Sequence, residues 1–160
     1  MHHAYLLLGS NIEPEANLGE AIRRLRRVVQ IEAISTAWES LADGSPGPNF
    51  LNCAIEISTK LNATELKDKI LRPIEQELGR IRTRDKNAPR TIDIDIMVFD
   101  REIYDTGLWL DVYRALPVAE LLPDLRDPQT GLALKEIANH LQENSFAKAR
   151  PELNNLFNSL

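Results

Sequence analysis

A single cysteine, Cys53, stands in a chain of 160 residues, so no internal disulfide can form and a reducing compartment suits the protein. No stretch approaches the roughly 20 consecutive apolar residues that a membrane-spanning helix needs, and the first residues carry no signal-peptide pattern. A cytoplasmic protein with no membrane role is expected. The Gly-x-x-x-x-Gly-Lys-Ser/Thr loop that cradles phosphates is missing as well, which excludes it as the way a nucleotide is held. A broad basic face is also lacking: formal net charge is -5 and the pI about 5.3, which argues against a dedicated nucleic-acid binder. His2, His3 and His140 share no ligand spacing with one another or with Cys53, and they read as surface residues. What remains, at 43% hydrophobic content, is enough for one domain with a real core, spanning 1–160.

The most informative run present is residues 89–99, Pro-Arg-Thr-Ile-Asp-Ile-Asp-Ile-Met-Val-Phe. Strict alternation marks a β-strand, with Ile92, Ile94, Ile96 and Val98 on a core face and Thr91, Asp93 and Asp95 opposite. Aspartate is a poor strand former, and two on one face stand only about 7 Å apart. Such a pair repels itself unless a cation sits between or above it, and Mg²⁺ typically takes one or two protein carboxylates plus water and phosphate oxygens. An amphipathic strand with a wet acidic face is the plainer alternative. Just upstream, residues 79–90 carry Arg80, Arg82, Arg84, Lys86 and Arg90 against one acid, Asp85. A solvated basic loop would look the same. Joined to the Asp-x-Asp strand, however, it makes up the parts of a phosphoryl-transfer site, in which metal ions and guanidinium forks neutralise phosphate oxygens.

Elsewhere the order of elements is legible. Residues 4–8 form a short apolar strand ending at Gly9-Ser10-Asn11. Leu18, Ile22, Leu25 and Val29 fall at helical spacing. Residues 31–38 read as a second strand, 39–49 as a loop, and 50–58 as a third strand. There Phe50 and Asn52 share one face and Leu51, Cys53 and Ile55 the other, which makes Cys53 packing rather than chemistry. Asn62 and Glu65 form a capping box for a helix through Leu66, Ile70, Ile74 and Leu78, with Pro73 expected to kink or split it and Gly79 to cap it. The pattern is β-α-β-β-α-β, an α+β ferredoxin-like sandwich. Residues 114–142 are helical and irregular additions. A C-terminal helical tail covers 143–160, where Leu153, Leu156, Phe157 and Leu160 form a stripe expected to pack back on the domain.

Gly9-Ser10-Asn11, Phe50-Leu51-Asn52, Ile74-Glu75, Gly79-Arg80-Ile81-Arg82 and Pro89-Arg90-Thr91-Ile92-Asp93-Ile94-Asp95-Ile96 occur in that order. Together they resemble the 6-hydroxymethyl-7,8-dihydropterin pyrophosphokinase family of folate biosynthesis. The likeness covers most of 4–100 and returns at 116–125. It implies transfer of the β,γ-diphosphate of ATP to the pterin hydroxymethyl oxygen, with release of AMP. It further implies two Mg²⁺ ions on Asp93 and Asp95, and phosphate contacts from Arg82 and Arg90 as the catalytic arginines. Nucleotide contacts would come from Glu75, Arg80 and Ile96. The pterin would lie between Phe50 and Tyr113, hydrogen-bonded by Asn52, with Ser40, Leu41, Asp43 and Gly44 completing its pocket. A flat heterocycle with polar edges suits aromatic faces and a few fixed hydrogen bonds. The partners implied are small molecules; composition adds the expectation of no nucleic-acid or membrane partner, and of the oligomeric states, which the sequence does not fix, a monomer is favoured.

One departure stands out. The family's histidine between strand four and Tyr113 has no counterpart in 103–112, where Trp109 and Arg114 are the nearby residues able to compensate. An alternative therefore stays open: a non-catalytic or altered-acceptor relative that binds nucleotide or pterin. A ferredoxin-like RNA-binding module lacks the stacked aromatics and the net charge.

Overall fold

The computed structural model describes residues 1–41, 47–80 and 90–160. Strand β1 (His2–Ser10) leads into helix α1 (Pro14–Val28), which returns the chain to β2 (Gln30–Ile34) and β3 (Ala37–Ser40). Next come β4 (Phe50–Thr59), the helical stretch α2 (Ala63–Leu66) and α3 (Arg72–Glu77), then β5 (Asp93–Phe99) and the short β6 (Glu102–Ile103). Helices α4 (Val112–Leu121) and α5 (Leu134–Glu143), strand β7 (Ala147–Arg150) and helix α6 (Glu152–Asn158) complete it. The sheet order is β6-β5-β1-β4-β3-β7, with β2 also on β4, and every pairing is antiparallel. Its centre, β5-β1-β4 flanked by β2 and β3, is the ferredoxin-like arrangement.

Period-two alternation sends side chains to two faces, and each is covered. Leu6, Leu8, Cys53, Ile55 and Ile94 pack on the side of α1, α3 and α6, with Phe157 of α6 fully buried among them. Leu7, Ala54 and Met97 pack under α4 and α5, with Trp109 half-buried at the edge. The C-terminal stripe docks on α1 through Leu153, Phe157 and Leu160, while Leu156 stays exposed.

Four local features differ from the pattern read above. Residues 31–38 are two strands, because the chain breaks at Ser35–Thr36. There the Ser35 hydroxyl accepts the Ala54 N–H at 2.8 Å in place of a backbone carbonyl, while Ser35 N donates to Ala54 O. Glu39 and Ser40 belong to β3, not to the loop, since they pair with Leu51 and Phe50. Val98 does not share a face with Ile92, Ile94 and Ile96: a bulge puts Val98 opposite Tyr5 but Ile96 opposite Leu6, so Met97 is the extra residue and the alternation inverts. Finally, β7 is a strand on β3 within the stretch expected to be helical.

The Pro73 expectation is met by a π-turn at Lys67–Leu71 joining α2 to α3, where Arg72 N reaches back to Lys67 O. The Asn62–Glu65 capping box is reciprocal. Gly79 sits at φ 84 and closes α3, with Gly79 N donating to Gln76 O and Arg80 N to Glu75 O. That is a Schellman cap, and a left-handed residue there favours glycine.

Candidate active site

The register brings distant residues into one cross-strand row. Gly9 of β1 lies between Asn52 of β4 and Asp93 of β5, and Leu7 lies between Ala54 and Asp95. All face α4. A Cβ on Gly9 would come 2.7 Å from Asn52 Oδ1, so glycine is what allows the Asn52 amide to lie across β1. Asn52 Nδ2 donates to Ser40 Oγ at 3.1 Å, with both side chains buried. Opposite Ser40 stands Phe50. A cavity of about 90 Å³ opens here, lined by Phe50, Asn52, Tyr113, Asp93 and Asp95. Ser40, Leu41 and Arg90 also border it.

A second cavity, about 370 Å³, lies along the π-turn and β5. Lys67 and Arg72 supply positive charge, and Leu71, Ile96 and Tyr104 supply apolar surface. Asp95 lines both cavities and marks where they meet.

Charge around the two aspartates is unevenly balanced. Arg90 Nη1 donates to Asp93 Oδ2 at 3.1 Å, and Arg80 Nε stands 4.0 Å from Asp93 Oδ1. Asp95 carries a heavier load: burial, then the neighbouring Asp93 charge, pushes its carboxyl up to about 6, with Arg72 and Arg114 opposing the rise and Asp105 adding to it. A half-buried carboxylate crowded by a like charge is stabilised by a cation. The donor set therefore fits a hard, oxygen-loving ion completed by water and phosphate. Among the described residues no group of three metal-type side chains converges.

Glu75 lines neither cavity, and its side chain is buried. It accepts Ile94 N–H at 2.8 Å and Arg72 Nη1 at 2.6 Å. Burial pushes its carboxyl up to about 7 against the pull of those two donors, and Asp93 adds to the rise. Cys53 faces away from the cavities, and burial pushes its thiol up to about 12, which fits packing.

Of the residues singled out from sequence, Ser40, Leu41, Phe50, Asn52, Arg90, Asp93, Asp95 and Tyr113 meet at the smaller cavity and Ile96 at the larger. Arg82, Asp43 and Gly44 lie outside the described residues. Two further contributors come from the Gly9-Ser10-Asn11 turn. Gly9 is one. Asn11 is the other: its Oδ1 accepts Arg90 N at 2.7 Å, its own N–H donates to Arg90 O at 3.1 Å, and Nδ2 donates to Pro48 O at 3.4 Å. The signal was the Gly-Ser-Asn turn itself, since a buried amide next to a cationic loop needs backbone partners.

Residues 5–124 match the family described as 7,8-dihydro-6-hydroxymethylpterin-pyrophosphokinase (HPPK). The chain belongs to that family. It is 35% identical over 147 residues to the 2-amino-4-hydroxy-6-hydroxymethyldihydropteridine pyrophosphokinase of Synechocystis, covering 85% of this chain and 74% of the relative. To the protein of the same name from Aquifex aeolicus it is 36% identical over 146 residues, covering 85% of this chain and 90% of the relative. In fold it matches the Plasmodium falciparum HPPK-DHPS crystal structure with a TM-score of 0.67 at 12% identity, over 88% of this chain and 43% of that one. The chain thus spans less than half of that HPPK-DHPS protein, and at this identity the likeness shows the fold alone. Among the described residues, no helix is long and apolar enough to cross a membrane.

Proposed function

We infer that this chain transfers the diphosphate of ATP to the hydroxymethyl oxygen of 6-hydroxymethyl-7,8-dihydropterin, as the names of its relatives describe. The observation that carries the reading is Asp95, which lines both a small cavity bordered by two aromatic rings and the Asn52 amide and a larger one with cationic and apolar walls. A group-transfer enzyme needs its donor and acceptor to meet at a point of fixed charge. The hydroxymethyl oxygen bonds to the β-phosphorus of ATP, the bond from that phosphorus to the α,β-bridging oxygen breaks, AMP leaves with that oxygen, and the hydroxyl proton is released.

Phe50 and Tyr113 bracket the pterin. Asn52, oriented by Ser40, hydrogen-bonds the ring edge, and Leu41, Asp43 and Gly44 close the rim. Ile96 contacts the nucleotide, and Arg80, Arg82 and Arg90 meet the phosphates. Arg82 and Arg90 stabilise charge that develops on the transferring group. Asp93 and Asp95 would hold Mg²⁺, two ions by the family resemblance, supplying neutralisation of the triphosphate. Glu75 serves the nucleotide side indirectly, by fixing the strand that carries both aspartates. The chain acts on small molecules. The cytoplasm suits its lone buried thiol.

The test is AMP release by purified protein with Mg²⁺, ATP and the pterin, against a control without pterin. Pterin-dependent AMP abolished by EDTA supports the reading. ATP or pterin binding with no AMP above control moves it to a non-catalytic or altered-acceptor relative.

A further inference from the structure

Arg114, in the first turn of α4, is the charged side chain of the smaller cavity to which the reading above gives no task. Its guanidinium lies over the Tyr113 ring, 4.6 Å from the centroid. Nε stands 3.3 Å from Asp105 Oδ2, and Nη1 donates to Asp111 Oδ2 at 2.5 Å and to the Tyr113 hydroxyl. Gly107 makes this clamp possible. A Cβ there would come 2.9 Å from Asp105 Oδ1, 3.1 Å from Asp111 Oδ2 and 3.2 Å from Arg114 Cδ, and the Gly107 N–H fixes Asp105 by donating to it at 2.9 Å.

The clamp straddles the seam between the cavities. Arg114 and Tyr113 wall the smaller one and Asp105 the larger, while Asp95 lies between and feels the charges of both Arg114 and Asp105. Among the described residues of the smaller cavity, Arg90 and Arg114 are the two cations. They reach it from different elements, Arg90 from the lead into β5 and Arg114 from α4. A guanidinium held by two carboxylates and a ring face, yet still 22% exposed, is fixed in place before a ligand arrives, which lowers the ordering cost of binding. Its planar fork has five donors, so the clamp does not exhaust them. A pterin ring is neutral and is served by aromatic faces, whereas the group crossing this seam is a diphosphate, for which a fork of N–H donors is matched.

We propose that Arg114 is a phosphate-contacting residue of the transfer, gripping the diphosphate from the α4 side of the seam opposite Arg90. The proposal rests on the pyrophosphokinase reading. It is tested by steady-state AMP release from wild type, Arg114→Met and Arg114→Lys, with pterin Kd from fluorescence and melting temperature for each. The Met variant is expected to lose about 10–100-fold in kcat, as for one charge-assisted contact, with pterin Kd held within about threefold and part of the rate restored in the Lys variant. A full rate in Arg114→Met overturns it. So does an unchanged kcat with weakened pterin binding, which makes Arg114 a ring contact, or a kcat loss that disappears on cooling, which makes it structural. If the Met variant does not fold, the Lys variant decides: a wild-type rate overturns the proposal, and a lower kcat with unchanged pterin Kd supports it. Wild type without pterin-dependent AMP would instead bring down the pyrophosphokinase reading, and this proposal with it.

Discussion

Glu75 accepts the backbone N–H of Ile94 at 2.8 Å, and Ile94 is the residue between Asp93 and Asp95. A buried carboxylate on α3 therefore fixes the pleat on which both aspartates are presented. Its second oxygen is tied to Arg72. Removing it leaves a buried amide unsatisfied and a half-buried arginine without its partner.

Glu75→Ala is accordingly expected to destabilise the fold by about 1–3 kcal/mol, with Glu75→Gln costing less because an amide oxygen can still accept from Ile94. Urea denaturation measures both. A loss under about 0.5 kcal/mol for Ala, the range of an ordinary surface change, would show that the strand holds its shape without Glu75.

The raised carboxyls make a pH prediction whose sign is fixed. Asp95 titrates near 3.8 unfolded and about 6 folded; Glu75 moves from 4.5 to about 7. As pH rises through 4 to 7 the unfolded chain loses these protons first, so both groups lower stability across that window and the loss is complete above the folded values. Metal-free wild type should thus lose more stability than Asp95→Asn between about pH 4 and about pH 7. Millimolar Mg²⁺ should raise the wild-type melting temperature more at about pH 8 than at about pH 5, because it binds the ionised pair. Equal shifts at both pH values, or an Asp95→Asn protein that still responds fully, would remove Asp95 from the metal site.

Much of this site was legible because strand periodicity is strict. Alternation placed Phe50 with Asn52 and Asp93 with Asp95, and the structure keeps both pairs at one cavity. Alternation fails where an extra residue enters, and the Met97 bulge that turns Val98 to the other face leaves no mark in composition. Strand β7, Ala-Lys-Ala-Arg, has no apolar alternation to read. It is held by pairing with β3 and by Arg150, which bonds Glu39 at 3.0 Å and Glu15 at 2.9 Å. The Arg114 clamp joins Asp105, Gly107 and Asp111 through a short 3₁₀ turn at Thr106–Trp109, a geometry that no helical or strand period announces.

Gly9→Ala tests the row across the sheet. The new methyl would fall 2.7 Å from Asn52 Oδ1, so the amide must turn away from the cavity. Overpacking of this kind costs about 1–3 kcal/mol, and the acceptor should suffer beyond that: the pterin KM should rise by about tenfold, the value of one misplaced hydrogen bond, with the ATP KM little changed. Equal rises in both constants would mean a general distortion, and Asn52 would lose its assignment to the ring edge.

Asn11 offers the sharpest separation of support from chemistry. Its hydrogen bonds to Arg90 are with the backbone, at Arg90 N and Arg90 O, and it also donates to Pro48 O. Asn11→Ala should therefore leave the Arg90 charge present but misplaced, lowering kcat/KM by about tenfold, the scale of a lost buried hydrogen bond expressed in the transition state. Arg90→Ala should cost at least as much. The decisive quantity is their combination. If Asn11 acts by aiming Arg90, the double variant should be no worse than Arg90→Ala alone, because there is no guanidinium left to aim. Independent roles would instead multiply the two losses, and a double-mutant cycle in kcat/KM distinguishes these outcomes.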